Sequence, residues 1–167
     1  MEHEEVSLLY LELAGHLFAV EAGQVKTVRR KETIVPAQDG IPGLLGFLAL
    51  GRGIIPVLDL GVCLGLPRPG QNPRGLLLVA SPEVGDLAFR VDRVEGPTAA
   101  PWDRLNLLPE YLQGLQPRPL IWGMAWRGEA LVPLLDLGQV LSDDRARALQ
   151  ETGRGLQGGR HGGDDGA

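Results

Sequence analysis

The stretch Gly46-Phe-Leu-Ala-Leu-Gly-Arg-Gly-Ile-Ile-Pro-Val-Leu-Asp-Leu-Gly-Val-Cys-Leu64 aligns without a gap on Gly123-Met-Ala-Trp-Arg-Gly-Glu-Ala-Leu-Val-Pro-Leu-Leu-Asp-Leu-Gly-Gln-Val-Leu141 of the same 167-residue chain. The identical pairs are Gly46/Gly123, Gly51/Gly128, Pro56/Pro133, Leu58/Leu135, Asp59/Asp136, Leu60/Leu137, Gly61/Gly138 and Leu64/Leu141. Each copy reads as an apolar strand, a tight turn at Gly51 or Gly128, and a second apolar strand. Pro56 or Pro133 then marks where pairing ends or lies at an edge, and Asp59 or Asp136 caps a short helical turn. Two such hairpins predict two similar lobes. Each lobe has too few strands for a sandwich covered on both faces, so closure into a small barrel is the way to remove exposed edges. The fold class predicted is all-β, two barrels.

Outward from the repeat, Val6 to Val20 reads as a hairpin turning at Ala14-Gly15-His16. Leu76-Leu77-Leu78-Val79, between Asn72-Pro73 and Ser81-Pro82, reads as a buried strand, and Leu87, Phe89 and Val91 as one face of a half-exposed strand. Ala99 to Pro119 reads as an irregular connection with one helical turn at Pro109 to Leu112. Ser142, followed by Asp143 and Asp144, predicts a helix over 142–151 that stops at Gly153. Seven glycines in residues 152–167 predict a disordered tail. With 24 Gly and 13 Pro in the chain, long helices are not expected.

At 44% hydrophobic and 22% charged residues, a single collapsed body over 6–141 is expected. No apolar run approaches the roughly 18 residues of a membrane span. The acidic start Met1-Glu2-His3-Glu4-Glu5 lacks the basic region of a secretory signal. A cytoplasmic protein without membrane insertion is predicted. Cys63, the one cysteine, sits among apolar residues that would raise its pKa and reads as core. His3, His16 and His161 have no metal-ligand spacing, so no metal or cofactor is expected. A net charge of −5 with three Trp, two Tyr and three Phe argues against nucleic acid. The cations Lys26, Arg29, Arg30 and Lys31 read as a solvated face, and Trp102, Trp122 and Trp126 as core or interface anchors.

Three function classes stay open on the residues alone. Asp59-Leu60-Gly61 and Asp136-Leu137-Gly138 resemble the paired Asp-Thr/Ser-Gly of aspartic proteases, although Leu stands where the supporting hydroxyl should be. A small hydrolase on Asp59 and Asp136 is one reading, an oligonucleotide-binding barrel a second, and a protein-binding module without a reaction centre the third.

Several motifs, in order, carry a family resemblance. Phe18-Ala19-Val20-Glu21 with Val25, Gly46 to Leu60, Val91-Asp92-x-Val94, Glu110-Tyr111-Leu112-x-Gly114-Leu115 and Leu135-Asp136-Leu137 resemble successive segments of the CheW-like coupling proteins of bacterial chemotaxis. The resemblance covers about Leu8 to Leu141. It implies two SH3-like five-stranded β-barrels, no catalysis, and a scaffold joining the regulatory domain of a CheA-type histidine kinase to the cytoplasmic tip of methyl-accepting chemoreceptors. It places receptor or kinase contacts at Val25, Thr27, Gly46, Gly51 and Arg52, in a protein resident at membrane-associated arrays. Val25 would supply apolar contact, the glycines close backbone approach and Arg52 hydrogen bonds. Thr27 and Gly51 stand where the family has a Glu and an Arg, which leaves room for a variant serving pilus motility or another alternative array.

Overall fold

A computed structural model describes residues 4–30, 34–37, 42–66, 75–81 and 85–161, with backbone alone at 143, 144 and 156–161. His3, Lys31, Asn72-Pro73, Pro82 and residues 162–167 lie outside the described residues. The strands are β1 (Glu5–Leu13), β2 (His16–Glu21), β3 (Val25–Arg30), β4 (Ile34–Pro36), β5 (Leu44–Leu50), β6 (Gly53–Asp59), β7 (Leu76–Ala80), β8 (Leu87–Val91), β9 (Arg93–Pro101), β10 (Leu105–Leu107), β11 (Ile121–Arg127) and β12 (Ala130–Leu135). The α-helices are α1 (Leu60–Cys63), α2 (Glu110–Gln113) and α3 (Asp143–His161).

Two sheets result, ordered β10-β11-β12-β2-β1-β9 and β3-β7-β8-β6-β5-β4. The second is one continuous stretch of chain, inserted into the first after β2. Position for position the ladders match: β4-β5-β6-β8-β7-β3 of lobe B repeats β10-β11-β12-β2-β1-β9 of lobe A. In each lobe the second strand of the repeat hairpin joins the lobe's other hairpin by a parallel pairing, β12 with β2 and β6 with β8. Each ladder has six members where five were expected; the additional one is the three-residue strand β4 or β10. The two ends of each ladder are consecutive in the chain. In lobe A only the single 3-10 turn Trp102–Arg104 separates β9 from β10, which is how a short sheet curls toward closure. Strand structure thus reaches into the segment from Ala99 that reads as irregular.

The duplicated hairpins superpose in register. Phe47 faces Pro56 and Ala49 faces Ile54, while Met124 faces Pro133 and Trp126 faces Leu131. Each turn has positive φ at its glycine, +59° at Gly51 and +61° at Gly128, and at neither Arg52 nor Glu129. That is the type II′ pattern, whose twist matches the strands it joins. Pro56 and Pro133 do not end pairing. The parallel neighbour begins one residue later, at Val57 and Leu134, so each proline lies inside a paired strand at a place where its missing N–H costs no ladder bond. Just before, both first strands carry a bulge, between Leu44 and Gly46 and between Ile121 and Gly123. A Cβ at Gly46 would sit 2.1 Å from the Val35 carbonyl, and one at Gly123 2.8 Å from that of Asn106. Only glycine lets β4 and β10 come this close.

Alternate side chains of the central strands feed different cores. Leu8, Tyr10, Ala19, Val132 and Leu134 fill lobe A; Val57, Leu77, Val79 and Ala88 fill lobe B. Their neighbours Leu9, Leu11, Val20, Leu135, Leu58, Leu78, Ala80 and Phe89 meet in a third core between the lobes. Ala146 and Leu149 of α3 join that inter-lobe core.

Helix α3 departs from the sequence reading. It is capped as predicted, with Ser142 Oγ accepting from the Arg145 N–H at 3.3 Å, but it runs past Gly153 to His161 instead of stopping near 151. Residues 152–161, predicted disordered, are helical. The buried positions 146, 149 and 153, with half-buried Gln150 between them, make one helical stripe. A Cβ at Gly153 would lie 3.1 Å from the Ile54 carbonyl and 3.6 Å from the Phe47 ring. The glycine taken as a stop is therefore the point at which the helix backbone seats against β6.

The two glycines at the start and tip of the first repeat are expected to differ in cost. Gly46→Ala forces the Val35 carbonyl aside and should destabilise by about 3 kcal/mol, whereas Gly51→Ala, in open space with only a φ penalty, should cost about 1 kcal/mol. Urea unfolding of both variants checks the order.

Candidate functional site

The two repeated aspartates are engaged by backbone. Asp59 Oδ1 accepts from the Val62 N–H at 3.1 Å and Asp136 Oδ1 from the Gly138 N–H at 2.9 Å. Their own N–H groups donate to the carbonyls of Gly43 and Leu120, at 2.7 and 2.8 Å. Each carboxylate thus closes a turn at the end of its own lobe's hairpin, which accounts for the residue type without any reaction. Cys63 ends the first of these turns. Burial, and to a lesser degree the nearby Asp59 carboxylate, push its thiol up to about 11, opposed by Arg145. A thiol so placed is neutral and unreactive at neutral pH. Among the described residues no cluster of three or more His, Cys, Asp or Glu could hold a metal, and no helix is long and apolar enough to cross a membrane.

Of the residues expected to contact partners, Val25 lies beside the seam between lobes. Gln24 accepts from the Leu137 N–H at 2.8 Å and donates to the Leu135 carbonyl at 3.3 Å. Its amide thereby fastens the start of β3 to the end of β12, lobe B to lobe A. The next residue, Val25, packs half-buried against the inter-lobe core. Beyond it β3 alternates strictly: Val25, Thr27 and Arg29 are half-buried, and Lys26, Val28 and Arg30 exposed. β3 is the end strand of its ladder. Lys26 pairs with Asp86 at 3.3 Å, so one of the cations read as a solvated face has a partner in lobe B.

Gly51 and Arg52 form the exposed tip of the β5–β6 hairpin, with β7, β8 and β6 between them and β3 along the ladder. The five residues expected to contact partners therefore divide into a β3 pair and a hairpin-tip pair. Gly46 belongs to neither. It is buried, and the close approach it permits is that of Val35 in its own chain, so its role is in the bulge under the surface.

The sequence reading missed the most exposed apolar side chains. Tyr111 and Leu115, four residues apart at the α2 turn, are 74% and 78% exposed, and Leu107 is exposed as well. Read as part of an irregular connection, they carried no periodicity to mark a surface. Arg127, at the end of β11, lies 4.3 Å from the centre of the Tyr10 ring and pairs with Glu95 at 2.6 Å. This hydrogen bond and charge hold the Glu95 carboxyl below its ordinary range.

Two interlocked small barrels with capped hairpins, a charged edge strand and exposed apolar side chains define a binding module. Comparison with known proteins places it. The CheW-like domain model matches residues 7–145, and the chain belongs to that family. The scaffolding protein TtCheW from Thermoanaerobacter tengcongensis has the same fold, with a TM-score of 0.71 at 16% identity over 83% of this chain and 98% of that one. None of the curated proteins matches the chain.

Two titrations test these environments. At pH 8 the Cys63 thiol of the folded chain should react with Ellman's reagent about 100-fold more slowly than that of the urea-unfolded chain. By NMR, the Glu95 carboxyl should titrate below the ordinary carboxylate range, its ion pair being present above the ordinary carboxylate pKa and lost as pH falls. Arg127→Ala should return it to the ordinary range.

Proposed function

We propose that the chain is a non-catalytic scaffold of chemotaxis-type signalling, coupling the regulatory domain of a CheA-type histidine kinase to the cytoplasmic tip of methyl-accepting chemoreceptors at membrane-associated arrays in the cytoplasm. The observation that supports it is family membership spanning both lobes, 7–145, rather than one barrel alone. Two lobes offer two separable faces, and specific association needs roughly 800 Å² on each partner.

In this reading the receptor tip lies along the lobe seam. Val25 offers apolar contact beside the inter-lobe core, Thr27 a hydroxyl where the family has a carboxylate, and the Gly51-Arg52 tip a backbone that a partner can approach closely together with a guanidinium. Arg at the second turn position presents its planar donors to carboxylates or carbonyls of the partner. Thr27 and Gly51 replace an oppositely charged pair together, so neither leaves a charge without its counterpart. Partners of this variant are then expected to be those of its own array, whether for swimming, pilus motility or another output. The hydrolase reading gains nothing from the geometry, since both aspartates have a structural task.

Isothermal titration with the receptor tip and kinase regulatory domain encoded in the same genome should show binding of both. Arg52→Glu should weaken the receptor complex about 10-fold. Absence of binding to either partner by the unmodified chain would overturn the reading.

A further inference from the structure

The repeat makes a comparison possible inside one molecule. On lobe B the outward face of the β5–β6 hairpin carries Phe47, Ala49, Ile54 and Pro56. Helix α3 lies along β6 on this face, with Ala146 and Leu149 in the inter-lobe core and Gly153 over Ile54 and Phe47. Phe47 is left 4% exposed. The equivalent face of lobe A carries Met124, Trp126, Leu131 and Pro133 at the same registers. Among the described residues no helix covers it, and Trp126 and Leu131 are 38% and 46% exposed. On lobe B Phe47 and Pro56 are buried, Ile54 is half-buried and Ala49 exposed; on lobe A Met124 and Pro133 are half-buried and Trp126 and Leu131 exposed, so the face under α3 is the more covered of the two. The family match ends at 145, within the first turn of the covering helix.

Charge distinguishes the two faces further. On lobe B the exposed Arg154 follows Gly153, which seats against Ile54, two residues from the hairpin-tip residue Arg52. On lobe A the residue equivalent to Arg52 is Glu129, exposed at the Gly128-Glu129 tip. A helix seated there in the orientation of α3 would carry an arginine next to its contact residue at Leu131, two residues from the Glu129 carboxylate.

We propose that the outer face of the β11–β12 hairpin, Met124, Trp126, Leu131 and Pro133, is a docking seat for an amphipathic helix of a partner protein, one that has the chemistry of α3. That helix presents a stripe of small and aliphatic residues at spacings of three and four, and an arginine next to its contact residue at Leu131, two residues from Glu129. Trp126, which replaces the small Ala49, supplies the flat anchor that interface centres favour, and the small residues of the helix let its backbone lie against it. Recognition is of the helix-in-groove kind, with apolar anchors on one helical face. The seat is distinct from the β3 and Gly51-Arg52 surfaces and does not depend on the coupling function.

The probe is a synthetic peptide of residues 143–161 of this chain, stapled across positions 147 and 151, whose counterparts in the protein are exposed, so that helix formation does not limit affinity. It is titrated into the full-length, 15N-labelled chain. Saturable amide shifts confined to 124–133 are expected. Leu131→Glu should raise the Kd by about 10-fold or more, and Glu129→Lys by about 3-fold with loss of the salt dependence, both with unchanged melting temperature. Shifts confined to 47–56 would mean that the peptide only exchanges with the chain's own α3, and would overturn the proposal. So would the absence of shifts at millimolar peptide. A dimer in sedimentation velocity that Leu131→Glu dissociates would show that a second copy of the chain, not a partner helix, fills the seat. Failure here leaves receptor and kinase binding untouched, and failure there leaves this seat untouched.

Discussion

Adjacent residues in the central strands point into different cores, and the architecture depends on that division. Leu134 faces the interior of lobe A and Leu135 the space between lobes; Val57 and Leu58 divide in the same way in lobe B. The parallel pairings Leu134 with Ala19, Leu135 with Val20, Val57 with Ala88 and Leu58 with Phe89 hold these residues in step. A slip of one residue in any of these strands would exchange its two sets of side chains between cores of different shape. Because fully burying a leucine contributes roughly 2–3 kcal/mol, register in both lobes is tied to a shared inter-lobe core.

Chain crossings reinforce the sharing. Lobe A is built from the first hairpin and the last four strands, with lobe B threaded between them. Gln24 fastens the outgoing crossing to the end of β12. Asp92 secures the return: its carboxylate accepts from the Ala14 N–H at 2.8 Å and its own N–H donates to the Glu12 carbonyl at 3.0 Å. Arg118 donates to the carbonyls of Gln139 and Leu141, the first at 2.9 Å, and fixes the short link from which α3 departs. These polar contacts sit where the backbone leaves a ladder and its groups need other partners.

Duplication followed by divergence explains how one plan yields unequal surfaces. The residues that keep each hairpin folded, the bulge glycine, the turn glycine, the proline and the capping aspartate, are the same in both copies. The outward-facing residues are not: Ala49 and Trp126, Arg52 and Glu129, Phe47 under a helix and Met124 without one. Folding demands constrain the first set, and what each lobe docks against can shape the second.

The all-β class, the two matched hairpins and the caps at Asp59 and Asp136 were legible because turn chemistry and strand alternation are local: each acts within a few residues and leaves a mark at fixed spacing. The same locality misled at Gly153, where a glycine that ends an isolated helix serves here for close packing on Ile54 and Phe47. It misled at Gly46 as well, whose apparent openness to a partner is filled by Val35, and at Pro56 and Pro133, which remain inside paired strands. The β3 surface and the Tyr111–Leu115 segment were visible only through family resemblance, Trp126 only as a core or interface anchor, and the exposure of Tyr111, Leu115, Trp126 and Leu131 not at all. A side chain's exposure depends on which distant element covers it. The amino-acid sequence by itself determined the elements and their repetition; the tertiary structure alone decided which of two equivalent apolar faces lies under α3, because that choice is made by packing between residues about a hundred positions apart.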